Sequence, residues 1–121
     1  MKIHHIALAS RNPAELAQFY IKILGLKELR KREENGRVVS IWLGLEDSIL
    51  MLEQSMDTQK DENPFEEKNP GFHLLALKIS LNETEAWLSK LKATGIAVEH
   101  RSDFTIYFRD PEGNRIGLSH Y

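Results

Sequence analysis

The feature that most constrains the fold of this chain is a repeat within its own sequence. The segment "HHIALASRNPAELAQFYIKILGL" near the start is matched by "HLLALKISLNETEAWLSKLKATGI" after the middle. In each segment a short apolar strand precedes an asparagine, Asn12 or Asn82, which is typical of a helix start. Each helix then ends at a glycine, Gly25 or Gly95. Because these features keep one spacing of roughly 70 residues, they indicate duplication of a unit of roughly 50 residues.

Two further patterns complete the unit. A glutamate, Glu15 or Glu85, lies three residues after each asparagine, as in a capping box. After each helix the apolar residues alternate with period two, which predicts three strands in each half. These strands are "KELRKRE", "RVVSIWLG" and "SILMLEQ", and then "IAVEH", "FTIYFR" and "NRIGLSHY", with "DPEGN" as the last turn.

The predicted order is therefore βαβββ, a connector, and βαβββ, which is an α+β fold of tandem units. We expect a single domain over residues 1–121, with a first unit at 1–55 and a second at 72–121. The stretch 56–71 is polar and acidic and contains two of the four prolines, which is typical of a connector.

Composition excludes several classes of protein. The chain has no cysteine, so it has neither disulfides nor thiolate metal sites. A net charge of -2 gives no basis for binding nucleic acid, which favours a basic surface. No apolar run approaches the ~18 residues of a membrane span, and the first residues do not form a signal peptide. We therefore expect a cytoplasmic protein with no nucleic-acid or membrane partner.

The units open with "HHIAL", continue with "AELAQFYIKILGL" and close with "YFRDPEGNRIGL", and together they resemble the vicinal oxygen chelate (VOC) superfamily. That superfamily includes glyoxalase I, extradiol dioxygenases, fosfomycin-resistance enzymes and bleomycin-binding proteins. The resemblance implies a curved mixed sheet, or half-barrel, with helices outside and a small-molecule ligand inside. It also implies a homodimer. In the enzymes of the family, residues of the first and fourth strands of each unit hold a divalent metal.

Strand parity tests that metal site residue by residue, because successive side chains of a strand point to opposite faces. His5 lies on the inward face, where the resemblance places the first ligand. The three other equivalent positions are Met51, Leu74 and Gly117, which do not offer the oxygen or nitrogen ligands that suit Mn, Fe, Ni or Zn. Gly117 is expected to leave open space where relatives present a carboxylate. We therefore predict a protein with no metal cofactor.

The inward-facing residues of these strands are the predicted ligand contacts. They are His5, Met51, Glu53, Leu74, Gly117, Ser119 and Tyr121. Trp42 and Tyr107 are further candidates, but parity alone does not settle which face they take. By the same parity, His4, His73 and His120 are assigned to the helix side.

Three functions stay open at this point. The first is metal-independent binding of a small molecule, similar to the bleomycin-resistance branch. The second is a metal-dependent glyoxalase-type lyase, isomerase or dioxygenase, in which His5 and Glu53 hold a divalent ion completed across a dimer interface. The third is a metal-free enzyme with His5, the only catalytic candidate, as general base. A histidine with no chemical role is the simplest alternative for His5.

The basic run "LRKRE" also has two interpretations. Charged side chains are typical of an edge strand, where they prevent pairing with another sheet. The alternative is an anion-binding role for Arg30, Lys31 or Arg32.

Overall fold

The structure, a computed structural model, describes residues 2–55, 65 and 72–121. The chain divides into two compact units, Met1–Gln59 and Lys60–Tyr121. The predicted connector, 56–71, lies outside the described residues apart from Phe65. The assignment of 1–121 to a single domain stays a prediction. Neither helix in the described part of the chain is long and apolar enough to cross a membrane.

The first unit contains one helix and a four-stranded mixed sheet. The elements are β1 His5–Ser10, α1 Pro13–Leu24, β2 Lys27–Glu34, β3 Arg37–Leu45 and β4 Ser48–Gln54. Strand β1 pairs in parallel with β4, and the β4–β3 and β3–β2 pairs are antiparallel, giving the order β1-β4-β3-β2.

The second unit repeats this topology strand for strand. Its elements are β5 Leu75–Lys78, α2 Thr84–Ala93, β6 Val98–Arg101, β7 Thr105–Arg109 and β8 Arg115–Ser119. The sheet has the order β5-β8-β7-β6, again with one parallel pair, β5 with β8. The predicted α+β fold of two βαβββ units is confirmed.

Helix α1 has the ends that its sequence predicts. The Asn12 side chain accepts a hydrogen bond from the Glu15 backbone N–H at 3.2 Å, which satisfies one free amide of the first turn. Gly25 ends the helix in the left-handed conformation, with φ 74°. Between these ends the helix packs on β3 and β4, and Leu16 and Tyr20 are fully buried in that core.

The predicted cap of the second helix was wrong by two residues. Leu81–Glu83 forms a 3-10 turn ahead of α2, so Asn82 lies within that turn instead of capping the helix. The Glu83 side chain accepts a hydrogen bond from the Ser80 backbone N–H at 2.6 Å. The serine therefore begins the helical region one turn earlier. The predicted end at Gly95 is confirmed, since its φ is also 74°.

The "DPEGN" turn is held by one buried carboxylate. Asp110 is 5% exposed. Its Oδ1 accepts hydrogen bonds from the backbone N–H groups of Glu112, at 3.0 Å, and Asn114, at 2.9 Å. Its Oδ2 accepts a third from the Asn114 side chain at 2.8 Å. Gly113 supplies the positive φ, 88°, that closes the turn between β7 and β8.

We expect Asp110→Ala to destabilise the protein by about 1–3 kcal/mol, because it leaves two half-buried backbone N–H groups of the turn without their acceptor. Urea denaturation measures the change. Asp47→Ala is the control, since Asp47 is an exposed loop carboxylate. Equal effects of the two substitutions would contradict this role for Asp110.

Candidate functional site

The two faces of the first sheet differ sharply in composition. Alternate residues of β3 and β4 are buried on the helix side, among them Leu43, Leu50 and Leu52. The residues between them, including Trp42 and Met51, are half-buried on the opposite face, which we call the inner face. The parity predicted for Met51 and Glu53 agrees with this arrangement.

Strand pairing arranges the inner face into two rows that cross the sheet. In the first row, Arg32 pairs with Ser40 and Ser40 pairs with Glu53. In the second row, Arg30 pairs with Trp42 and Trp42 pairs with Met51. The rows continue onto β1 at small residues, Ala9 beside Glu53 and Ala7 beside Met51. Short side chains at these two positions leave room above the sheet.

The six larger residues of these rows line a cavity of about 290 Å³. That volume is at the lower end of the range of small-molecule sites, about 300–1,000 Å³. The residues lining the cavity are Arg30, Arg32, Ser40, Trp42, Met51 and Glu53.

Hydrogen bonds fix the orientation of the polar groups. The Trp42 indole N–H donates to the Ser40 hydroxyl oxygen at 3.1 Å. That hydroxyl in turn donates to Glu53 Oε1 at 2.6 Å, so the chain of bonds ends at a carboxylate. The Arg30 guanidinium carbon lies 4.9 Å from the Trp42 ring centroid, in a cation–π contact. The cavity therefore combines a cation, a carboxylate and a flat aromatic surface.

The basic run divides between the two faces of its strand. A register shift between Glu28 and Arg30 places Arg30 opposite Trp42, and Arg32 opposite Ser40. Lys31 lies between them and pairs with Ile41, on the helix side. Strand β2 is an edge strand as predicted, and it also supplies two cavity residues. Of the three residues named for the alternative anion-binding role, Arg30 and Arg32 line the cavity and Lys31 does not.

His5 lies away from this cavity. It pairs with Ile49, whereas Glu53 pairs with Ala9, four residues further along β1. Four residues of strand span about 13 Å, and a metal ion takes donor atoms only about 2.0–2.2 Å from its centre. One ion therefore cannot bind both side chains within this unit. The exposed His5 ring instead contacts His4, with 2.9 Å between their Nδ1 atoms.

Gly117 does not leave open space, which corrects the expectation of an emptied position. A Cβ added at Gly117 would lie 3.2 Å from Thr105 Cγ2 and 3.4 Å from Leu74 Cδ1. The Thr105 hydroxyl donates to the Ser119 hydroxyl oxygen at 2.9 Å, which fixes the direction of the Thr105 methyl group. Close packing therefore explains the glycine, because the side chains of Thr105 and Leu74 fill the space that a side chain at position 117 would take.

Two residues at the edges of the predicted strands also lie outside the strands that the structure shows. Tyr121 follows the end of β8 and is 91% exposed. His73, assigned to the helix side, lies before the start of β5, and its Nδ1 is 3.1 Å from Arg115 Nη1. Parity failed for His73 because the alternation applies only within a strand.

The second unit contains a charged cluster that the sequence did not predict. Glu99 binds Arg115 through both oxygens, at 3.1 and 3.2 Å, and it accepts a hydrogen bond from Arg109 Nη2 at 2.8 Å. Burial raises the pKa of Glu99, but the hydrogen bonds and charges of Arg115 and Arg109 outweigh it, so the pKa lies below its usual value. Three charges spread over β6, β7 and β8 form no local motif, so no signal in the sequence identified them.

The sequence matches the family model of the Glyoxalase/Bleomycin resistance protein/Dioxygenase superfamily over residues 2–118. The chain belongs to that superfamily. None of the curated proteins matches it significantly.

Solved structures of the superfamily share this fold. A glyoxalase/dioxygenase from Nostoc punctiforme is 24% identical, with 97% of this chain and 88% of that chain covered and a TM-score of 0.78. Lactoylglutathione lyase from Agrobacterium tumefaciens is 20% identical, with coverages of 98% and 92% and a TM-score of 0.69. A variant of the fosfomycin resistance protein FosX from Listeria monocytogenes, in complex with Mn(II) and a dihydroxypropylphosphonic acid, is 15% identical, with coverages of 98% and 89% and a TM-score of 0.75.

The resemblance places metal ligands at four positions of this chain, and their residues differ from the usual donor set. Of the four positions at which the resemblance places ligands, only His5 carries a nitrogen or oxygen donor, because the others are Met51, Leu74 and Gly117. Within the described ranges, 2–55, 65 and 72–121, no three histidine, aspartate or glutamate side chains come together as a metal site.

We expect Gly117→Ala to cost about 1 kcal/mol by overpacking, although alanine restricts the unfolded chain and offsets part of this. In a Thr105→Ser background, which removes the methyl group and keeps the hydroxyl, the same substitution is expected to cost nothing. A double-mutant cycle from urea denaturation measures the coupling. Simple additivity would show that Thr105 does not set the requirement for glycine.

Glu99→Gln is expected to lower the free energy of unfolding at pH 7 by about 1.5–3 kcal/mol, the usual range for hydrogen bonds to charged groups. Because folding lowers the pKa of Glu99, its contribution is present above the ordinary value of 4.5 and is lost as the pH falls below it. Denaturation between pH 3 and 7 should therefore show a smaller acid-induced loss in Glu99→Gln than in the parent. Parallel pH curves for the two proteins would contradict this.

Proposed function

We propose that this protein binds a small organic acid in the cavity of its first unit, without a metal at the positions that the superfamily uses. The observation that carries the proposal is the six-residue lining, in which two guanidinium groups lie on the same face as an indole ring and a carboxylate. Such a cavity has a few fixed polar groups around an apolar surface, which is typical of small-molecule sites.

Each part of the lining selects a part of the ligand. Arg30 suits a carboxylate or phosphonate, since guanidinium binds such groups through paired hydrogen bonds. Arg32 adds a second guanidinium to the lining, and its Nη1 also pairs with the Glu34 carboxylate. Trp42 and Met51 offer the apolar surface for a ring or short chain. Glu53 accepts a hydrogen bond from Ser40 through Oε1, and its carboxylate favours a ligand that also carries a hydroxyl or amine donor.

The similar structures support this class of ligand. The Listeria resistance protein is in complex with a dihydroxypropylphosphonic acid, which combines an acidic group with hydroxyls. That protein also holds Mn(II), whereas this chain lacks a suitable donor at three of the four positions where the superfamily places metal ligands. The likeness therefore supports a small polar acid as ligand while the donor set favours binding without a metal.

The metal-dependent lyase, isomerase or dioxygenase, with His5 and Glu53 as metal ligands, is the first alternative. A metal-free enzyme with His5, the one catalytic candidate, as general base is the second. The strand register argues against one ion bound by both His5 and Glu53 within the unit, because Glu53 pairs with Ala9, four residues from His5. The homodimer and the bleomycin-resistance likeness are further proposals that rest on the resemblance. Cytoplasmic residence is also a proposal, and it rests on the sequence pattern alone.

Tryptophan fluorescence provides a direct test. Trp42 lines the cavity and Trp87 lies in α2, so Trp87→Phe leaves Trp42 as the single reporter. Benzoate and phenylphosphonate, titrated separately, are expected to give a saturable change in emission. Arg30→Met in this background is expected to weaken binding at least about tenfold, because the loss of a charge-assisted hydrogen bond costs about 1.5–3 kcal/mol.

Lys31→Met is the matched control, because it removes the same charge from the adjacent residue on the other face of β2. It is expected to keep the parent affinity. Equal weakening by both substitutions, or no saturable signal with either acid, would overturn the proposed site. Binding that requires added Mn(II) and is abolished by a chelator would favour the metal-dependent alternative.

A further inference from the structure

The ring of Phe65 occupies a defined position in the second unit. It stacks on the His100 ring with 4.3 Å between centroids and 22° between planes. It meets the Tyr107 ring edge-on at 5.0 Å, and the Arg115 guanidinium carbon lies 5.0 Å from its centroid. The His73 ring lies 6.5 Å away.

The aromatic and cation contacts of Phe65 come from side chains that carry polar atoms. They are two histidines, a tyrosine and an arginine. The Arg115 side chain is only 4% exposed, and Glu99 and His73 hold its position. Stacking surfaces and a fixed cation are typical of sites that hold planar aromatic ligands.

The Phe65 ring contacts a row of residues in the second unit that corresponds, by the duplication, to a row of the first unit's cavity. In the first unit Arg30 pairs with Trp42, which pairs with Met51. In the second unit, His100 pairs with Tyr107, which pairs with Gly117. In each row a register shift brings the residue of the edge strand opposite the aromatic residue. The shift lies between Glu28 and Arg30 in β2, and between Val98 and His100 in β6.

We propose that the second unit contains a binding site for a planar aromatic ring, and that Phe65 fills it as an internal substitute for the ligand. The site consists of His100, which stacks on the ring, Tyr107, which meets it edge-on, and Arg115, whose cation lies against it. It shares no residue with the cavity of the first unit, so it goes beyond the function proposed above.

Competition between Phe65 and a ligand ring has a measurable consequence. A site that is filled by its own chain shows an apparent affinity reduced by the fraction of molecules in which it is open. Removing the Phe65 ring makes the site open in all molecules. The affinity for a planar ring should then rise, although the substitution removes a potential contact.

Indole, a neutral planar ring, is the probe, and amide NMR spectra of the labelled full chain follow its binding. We expect Phe65→Ala to bind indole about tenfold more tightly than the parent. This is the gain expected when one or two ring contacts of Phe65 no longer compete with the ligand. The largest shifts are expected at His100 and Tyr107. Adding Tyr107→Ala to Phe65→Ala is expected to abolish the gain.

Phe104→Ala is the control, since Phe104 is a half-exposed aromatic of the same unit whose ring contacts His120 and Tyr121. It is expected to keep the parent affinity for indole. Phe65→Trp, which keeps a large ring in place, is expected to bind indole no more tightly than the parent. Should Phe65→Ala fail to fold, Phe65→Leu carries the test, with an expected gain of about fivefold.

Three results would overturn the proposal. The first is an unchanged indole affinity in the folded Phe65→Ala or Phe65→Leu protein. The second is a gain that survives Tyr107→Ala. The third is a set of shifts centred on Trp42 and Met51, which would assign indole to the first unit's cavity and leave the function proposed for that cavity standing.

Discussion

The pairing of the third and fourth strands of each unit is the constraint on which the rest of the structure depends. In the first unit, Ser40 pairs with Glu53 and Trp42 with Met51. In the second unit, Thr105 pairs with Ser119 and Tyr107 with Gly117. A slip of one residue would move every one of these side chains to the helix face and expose the leucines and isoleucines of the core. The buried core therefore fixes the register, and the register in turn builds the candidate sites.

One backbone arrangement carries different chemistry in the two units. The first unit keeps a serine, a tryptophan, a methionine and a glutamate on its two rows, and a cavity of about 290 Å³ remains above them. In the second unit, the equivalent of Met51 is Gly117, where Thr105 and Leu74 fill the space, and Phe65 covers Tyr107. Duplication copied the strands, whereas the inner-face side chains diverged because the fold constrains them less than it constrains the core.

Much of the fold followed from the sequence because its signals are local. The apolar alternation, the asparagine cap of α1, and the glycines Gly25, Gly95 and Gly113 each act over a few residues. Met51 and Glu53 were placed on the inner face for the same reason. The second helix cap was misplaced because Ser80 and Asn82 both have a glutamate three residues later, and local pattern does not choose between them. The cluster of Glu99, Arg109 and Arg115 was missed because its charges meet only across strands.

The sequence by itself determined the repeated βαβββ order and the inward face for Met51 and Glu53, because these depend on residue identity and periodicity. Only the tertiary structure decided that Arg30 and Arg32 line the cavity while Lys31 does not, and that His100 joins Tyr107. Register shifts in β2 and β6 redirect those side chains, and such a shift depends on how a strand pairs with its neighbour. Gly117 was interpreted from the sequence as an absent carboxylate, but only the neighbouring side chains of Thr105 and Leu74 show that its space is filled, because they come from other parts of the chain.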